Sequence, residues 1–91
     1  MKYELVFTQS YTRRACRFIR KHPEVKGQYK KTLELLELNP FHPALRLHKL
    51  KGTLDDLHSV SINLSYRITL QLLIRGRKII PVDVGSHDEV Y

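Results

Sequence analysis

Two histidines and one arginine, His48, Arg67 and His87, have the side chains that RNA cleavage without a metal requires. RNA carries its own nucleophile, the 2′-hydroxyl, so a protein must supply a base, a cation for the phosphate oxygens and an acid for the leaving 5′-oxygen. Histidine suits either proton transfer, and the arginine fork stays charged and donates two hydrogen bonds. Each residue taken alone is typical of an exposed surface, so the prediction depends on a fold that brings the three together.

Metal and cofactor chemistry has no comparable support. No two of the five histidines stand four residues apart, and the single cysteine, Cys16, cannot build a zinc site. The four glycines are scattered and form no phosphate-binding loop. We therefore predict no metal site and no cofactor.

The charge of the chain is strongly positive and unevenly distributed. The 91 residues carry a formal net charge of +7 and are 42% hydrophobic, which is typical of one globular domain spanning residues 1–91. Residues 1–52 contain 12 basic and 4 acidic residues, whereas residues 53–91 contain 4 and 5. Such a surface attracts a polyanion or an acidic protein partner, although a solvated helix face has the same composition.

The start of the chain and its cysteine content bear on location. The opening residues, MKYELVF, do not resemble a signal peptide, and no apolar run approaches the roughly 20 residues of a membrane helix. A single cysteine is typical of a reducing compartment. We expect a cytoplasmic protein that does not contact a membrane.

Two helices are predicted after an opening strand over residues 2–7. The first begins near Thr8 or Ser10, either of which can cap its amide groups, and the second follows Pro23. Each helix has one apolar stripe, and the stripes predict an antiparallel hairpin packed on a core. The stripe residues are Tyr11, Ala15, Phe18 and Ile19 in the first helix and Val25, Tyr29, Leu33 and Leu36 in the second.

The second half of the chain has the period of two that is typical of a half-buried antiparallel sheet. Pro81 cannot donate to a strand ladder, so we expect an edge, a bulge or an outward position there. We predict an α+β fold of order β-α-α-β-β-β, with an antiparallel-rich four-stranded sheet and both helices on one face. The predicted inward residues are Val60, Ile62, Leu64, Ile68, Leu70, Leu72, Ile80, Val82 and Val84.

The other face of the sheet is predicted to be polar, partly cationic and uncovered. The chain's last residues, GSHDEVY, follow the final strand directly and leave at the rim of this face. Such a face is either solvated or a site, and the position of His87 favours a site. Its predicted residues are Ser59, Ser61, Arg67, Thr69, Gln71 and Asp83.

The segments LHKLKGTLDDLHSVSINLSYRITLQL and KIIPVDVGSHDEVY resemble the RelE/ParE superfamily of bacterial toxin–antitoxin toxins, in particular its YafQ- and YoeB-like mRNA interferases. The pattern covers nearly the whole chain. The resemblance implies a ribonuclease fold of four strands backed by two helices. It also implies that the protein cuts translated mRNA in the ribosomal A site and is neutralised by a cognate antitoxin.

The same resemblance implies individual roles. His48 falls where these nucleases keep a Glu or His that acts as base, Arg67 matches the arginine that braces the scissile phosphate, and His87 matches the proposed general acid. The residues themselves leave open which histidine is acid and which is base. Further candidates for contact with the RNA backbone or its bases are Arg46, Lys49, Lys51, Ser61, Tyr66 and Tyr91.

The chain also departs from the YafQ-like pattern, and the departures keep other functions open. Ser61 stands where that pattern has a second histidine, and Ser65 stands near its aspartate. One alternative is a ParE-like poison of DNA gyrase without nuclease activity. Another is a catalytically silent relative that only binds its antitoxin and nucleic acid.

Overall fold

The computed structural model describes residues 2–52 and 57–86, which form a mixed sheet backed by a helical hairpin. The sheet has the order β1-β5-β4-β3-β2; β1 pairs with β5 in parallel and all other pairs are antiparallel. Its elements are β1 (Glu4–Leu5), α1 (Gln9–Lys21), α2 (Lys26–Leu38), β2 (His48–Lys49), β3 (Leu57–Ser61), β4 (Tyr66–Leu73) and β5 (Lys78–Ser86).

The α+β class and the element order match the prediction, but the sheet has five strands rather than four. The additional strand, β2, is only two residues long and pairs with His58 and Ser59 of β3. Two residues are too few to show an alternation of apolar and polar side chains, which is why no strand was predicted there.

The helical hairpin forms where the apolar stripes indicate. The side chain of Thr8 accepts a hydrogen bond from the amide of Tyr11 at 3.1 Å and so caps α1. Pro23 starts a single 3₁₀ turn, Pro23–Val25, and α2 begins after it. Within the described residues, no helix is long and apolar enough to cross a membrane.

Both helices pack on one face of the sheet. Successive residues of a strand point to opposite faces, and Ile68, Leu70 and Leu72 of β4 are buried as predicted. They join Val60 of β3 and the stripe residues of both helices in one core. Truncation of such a fully buried side chain to alanine typically lowers the free energy of unfolding by about 2–5 kcal/mol. Packing on this face therefore holds the strands in position.

The inward face predicted for the last strand is correct for Val84 and wrong for Val82, because β5 contains a bulge. Thr69 pairs with Asp83 and Leu70 pairs with Pro81, so Val82 is an extra residue. The alternation therefore changes phase: Pro81 is buried and Val82 is 40% exposed. A bulge was one of the three positions expected for Pro81.

The second predicted strand, observed as β3, is also shorter than the sequence suggests. β3 ends at Ser61, and Leu64, predicted to point inward, is 91% exposed. The side-chain oxygen of Asn63 accepts hydrogen bonds from the amides of Ser65 and Tyr66 and so closes the turn into β4. This local bonding replaces the strand pairing that the apolar residues at alternate positions indicated.

The hydroxyl groups of Tyr11 and Tyr29 lie 2.7 Å apart and join the two helices. Burial, the largest cause, raises the pKa of both hydroxyl groups above the ordinary value. The neutral side chain of Tyr11 therefore contributes its full stabilisation of the fold below about pH 10, which is the pKa of tyrosine in the unfolded chain. This contribution is lost as the pH rises above that value.

We expect Tyr11→Phe to flatten the alkaline loss of stability by up to about 1.4 kcal/mol per pH unit. Urea unfolding of the parent and the variant between pH 9 and pH 11 measures this difference. Lysines titrate in the same range but are common to both proteins, so equal slopes would contradict the prediction.

Candidate active site

Two of the three predicted catalytic residues lie on one face of the sheet, opposite the helices. His48 of β2 pairs with Ser59 of β3, which in turn pairs with Thr69 of β4. Directly paired residues of antiparallel strands have their side chains on the same face, and Arg67 shares the face of Thr69 two residues away. The polar face, as we use the term, consists of His48, Ser59, Ser61, Arg67 and Thr69.

Arg67 is held in this face by its neighbours. Its side chain is partly buried, and Nη1 donates a hydrogen bond to Oγ of Ser59 at 3.4 Å. Its partner across the ladder is Gly85 of β5, which has no side chain to crowd the guanidinium group. A guanidinium with most of its donors left for an anion can bind a phosphate with two parallel hydrogen bonds.

His48 lies at the exposed edge of the sheet, on β2. Its Nδ1 is 3.4 Å from the carbonyl oxygen of Arg46. When Nδ1 donates in this long contact, Nε2 is the acceptor nitrogen that a general base needs. Ser59 is both the cross-strand partner of His48 and the hydrogen-bond acceptor of Arg67, so the two predicted catalytic residues have Ser59 as a common neighbour.

The centre of the polar face is not the open surface that the sequence predicted. Ser59 is 0% exposed and Thr69 is 5% exposed, and the guanidinium of Arg67 lies against Ser59. The buried Oγ1 of Thr69 has no hydrogen-bond partner among the described residues. An unpaired buried hydroxyl costs about 1–3 kcal/mol, which makes Thr69 an unusual residue to find beside Arg67.

Asp83 is paired with Thr69 of the predicted face, but its carboxylate is bound by α1 rather than left open. One carboxylate oxygen is 3.4 Å from Nη1 of Arg14, and the other accepts a hydrogen bond from the amide of Val84. The bulge at Val82 precedes Asp83 directly, and its carboxylate contacts α1. The sequence gives no signal for this ion pair, because 69 residues separate its two members.

The predicted RNA-binding residues are distributed over several parts of the molecule. Ser61 donates to the carbonyl oxygen of Asn63 at 2.7 Å and so supports the turn after β3. Lys49 lies next to His48 on β2 and therefore on the opposite face, paired with His58. Arg46 and Lys51 are exposed on either side of β2.

Tyr66, proposed to stack on a base, lies on the helix side of the sheet. Its hydroxyl group is 3.1 Å from Nδ1 of His22, and its ring lies 5.1 Å from the ring of Phe18 and 4.7 Å from that of His22. The sequence did not indicate this cluster, which joins residues 44 positions apart. A role for Tyr66 in RNA binding stays a prediction.

His87 and Tyr91 lie outside the described residues. Ser86, the residue before His87, ends β5 and pairs with Tyr66, and Gly85 pairs with Arg67. The chain thus passes Arg67 two residues before it reaches His87. No group of three His, Cys, Asp or Glu side chains that could hold a metal ion occurs within residues 2–52 and 57–86.

No protein-family model matches the sequence, and no curated protein matches it. Solved structures match over almost its full length. A chain of the E. coli DinJ–YafQ toxin–antitoxin complex has a TM-score of 0.79 at 13% identity, with 100% of this chain and 99% of that chain covered. The fold is that of the RelE/ParE toxins.

Two further structures of the RelE/ParE fold show the same architecture. A YoeB/ParE toxin from Agrobacterium tumefaciens has a TM-score of 0.73 at 18% identity, with 92% of this chain and 98% of that chain covered. A chain of the archaeal RelE–RelB complex from Pyrococcus horikoshii OT3 has a TM-score of 0.69 at 18% identity, with 94% and 96% covered. The architecture implied by the sequence resemblance is therefore confirmed.

Proposed function

We propose that this protein is the toxin of a type II toxin–antitoxin module and cleaves mRNA on the ribosome. The observation that carries the proposal is that His48 and Arg67 have Ser59 as a common neighbour on the polar face of a RelE/ParE-type sheet. The RelE/ParE fold alone also serves a gyrase poison. A base and a phosphate-binding cation on one face favour the nuclease.

Each step of the proposed reaction has a residue. His48 takes the proton from the 2′-hydroxyl, whose oxygen attacks the phosphorus and forms a 2′,3′-cyclic phosphate. Arg67 binds the equatorial oxygens as negative charge develops on them, and His87 protonates the leaving 5′-oxygen. The reaction needs no metal, because the nucleophile belongs to the substrate and the charge is balanced by an arginine.

The proposed partner is a cognate antitoxin with acidic residues. Two of the structures similar to this chain are complexes, of YafQ with DinJ and of RelE with RelB. Residues 1–52 contain 12 basic and 4 acidic residues, so an acidic segment gains attraction along the hairpin. In this proposal the protein acts in the cytoplasm, where ribosomes, mRNA and antitoxin are present.

The deciding experiment is a reconstituted translation reaction with a defined mRNA, with cut sites mapped by primer extension. We expect discrete cuts within the translated frame and few or none when ribosomes are omitted. A parallel reaction with DNA gyrase tests the main alternative. If the mRNA stays intact and supercoiling by gyrase is blocked, the protein is a gyrase poison and not a nuclease. If neither reaction is affected, the remaining alternative is a catalytically silent relative that only binds its antitoxin and nucleic acid.

A further inference from the structure

A groove of about 370 Å³ separates α1 from the C-terminal half of β5. β1 pairs only with Lys78 and Ile79, so it does not reach this part of β5. The base of the groove includes Phe18 and Val84, which belong to the core. Its polar lining, which we call the cationic groove, consists of Arg14, Arg17, Lys21, His22 and Asp83.

Within residues 2–52 and 57–86, the cationic groove has more positive charge than the neighbouring carboxylates neutralise. Residues 14, 17 and 21 are spaced by three and four, so they follow one side of α1. The single carboxylate, Asp83, pairs with Arg14. Arg17 and Lys21 form no ion pair with any residue in the described part of the chain. The described part of the chain therefore supplies no counter-charge to these two permanent cations of the groove.

The position of the groove relates it to the polar face. Val84 lines the groove, and the next residue, Gly85, is the cross-strand partner of Arg67. Adjacent strands lie about 4.8 Å apart, so the groove begins a single strand beyond the backbone of Arg67, on the helix side of the sheet, and an RNA strand reaches it from the polar face by passing over β5. Among the described residues, those of β5 at this level are Gly85 and Ser86, whose side chains are absent or small.

The lining favours a nucleic acid over an acidic peptide. Arginine forks match phosphate oxygens, and a flat ring beside them offers a surface for a base. His22 supplies such a ring: it lines the groove, and its orientation is held by contacts with Phe18 and Tyr66. The carboxylates of an acidic peptide would pair with the cations but would have no aromatic base to stack on this ring.

We propose that the cationic groove is a second phosphate-binding subsite, which holds the RNA strand on one side of the phosphate bound by Arg67. The inference rests on the proposed function for the identity of the RNA as substrate. Asp83 limits the affinity of the subsite, because its carboxylate occupies Arg14 and repels the incoming phosphate. The subsite therefore binds the strand weakly enough to release it.

The test measures binding without cleavage. A fluorescent single-stranded RNA with 2′-O-methyl groups has no nucleophile, and its Kd is measured by anisotropy between 50 and 200 mM salt. The groove variant is Arg17→Gln/Lys21→Gln. The matched control, Arg13→Gln/Arg20→Gln, removes the same charge from other positions of α1, outside the groove lining. Thermal unfolding confirms that all variants fold.

We expect the groove variant to bind RNA more weakly and to lower the slope of log Kd against log salt by about 1 for each lost phosphate contact. The control pair should change both quantities less. Asp83→Asn, which keeps the oxygen that accepts from Val84, should bind more tightly than the parent. If the groove and control pairs lose equal RNA affinity, the subsite is contradicted, because binding would then depend only on the net charge of the protein.

A poly-glutamate competitor separates the two kinds of partner. If it displaces the RNA from the parent but not from the groove variant, at concentrations where a neutral poly-glutamine does nothing, the groove is an acidic-peptide site and the inference is wrong. These binding measurements do not involve cleavage, so they can be interpreted even if the nuclease proposal fails. If the groove variant cleaves mRNA normally and binds RNA as the parent does, the proposed subsite is contradicted, whereas the nuclease proposal is kept.

Discussion

Arg67→Ala is expected to lower the rate of mRNA cleavage at least about 100-fold, because it removes the cation that balances charge on the phosphate in the transition state. The fold should persist: Arg67 is only partly buried, and its single described hydrogen bond, to Ser59, is long at 3.4 Å. Single-turnover cleavage at saturating ribosome–mRNA complex, together with thermal unfolding of both proteins, measures the two effects separately.

Two further variants make the result specific. Arg67→Lys keeps the charge but loses the fork, so it should recover only part of the rate. Arg75→Ala removes one exposed arginine just beyond the other end of β4 and should cleave like the parent. If Arg67→Ala cleaves at the parental rate, Arg67 has no part in the mechanism. If Arg75→Ala is equally impaired, the effect reflects net charge.

Removal of either proposed proton-transfer group should have an effect of the same size. We expect His48→Ala and His87→Ala each to lower the cleavage rate at least about 100-fold, since a positioned acid or base typically contributes 10²–10⁴. His48→Glu should retain more activity than His48→Ala, because a carboxylate can also accept the proton of the 2′-hydroxyl. The same single-turnover assay applies.

A modified substrate distinguishes the acid from the base. When sulfur replaces the leaving 5′-oxygen at the cut site, the leaving thiolate needs no proton. The defect of His87→Ala should then largely disappear, whereas that of His48→Ala should remain. Rescue of His48→Ala instead would exchange the two roles. A defect of His87→Ala that persists with the sulfur substrate would show that His87 is not the acid.

The parts of the fold that were predictable from the sequence are those with a repeating local signal. The apolar stripes of α1 and α2 and the alternation in β4 extend over enough residues to define a period, and Thr8 and Pro23 mark the starts of the helical segments. Each signal lies within one element. The fold class and the order of the elements follow from such signals alone.

The differences arise where the structure depends on contacts between distant residues. β2 is too short to have a period, and the bulge at Val82 changes a pattern that was read as continuous. Burial of Ser59 and Thr69 could not be predicted, because residue type indicates polarity but not whether a neighbouring guanidinium covers the hydroxyl group. The alternation in β4 already places Tyr66 on the face of Ile68, but its contact with His22 could not be predicted, because that residue is far away in the chain.

The candidate site shows the same division. Residue chemistry and the family resemblance singled out His48 and Arg67, and the pairing of β2, β3 and β4 places them on one face. The sequence could not indicate Ser59 as their common neighbour, because that relation exists only through strand register. The basic residues of α1 were visible as charge, whereas the groove that three of them line requires the position of β5.

The extra residue in β5 has a consequence for every position after it. A strand without the bulge would present Val82 and Val84 on the same face, so the one-residue insertion reverses which face each later residue of β5 presents. It lets Val84 enter the core while Asp83 contacts α1. The face that each residue from Asp83 to Ser86 presents is thus set upstream, at a proline and a valine that have no chemistry of their own.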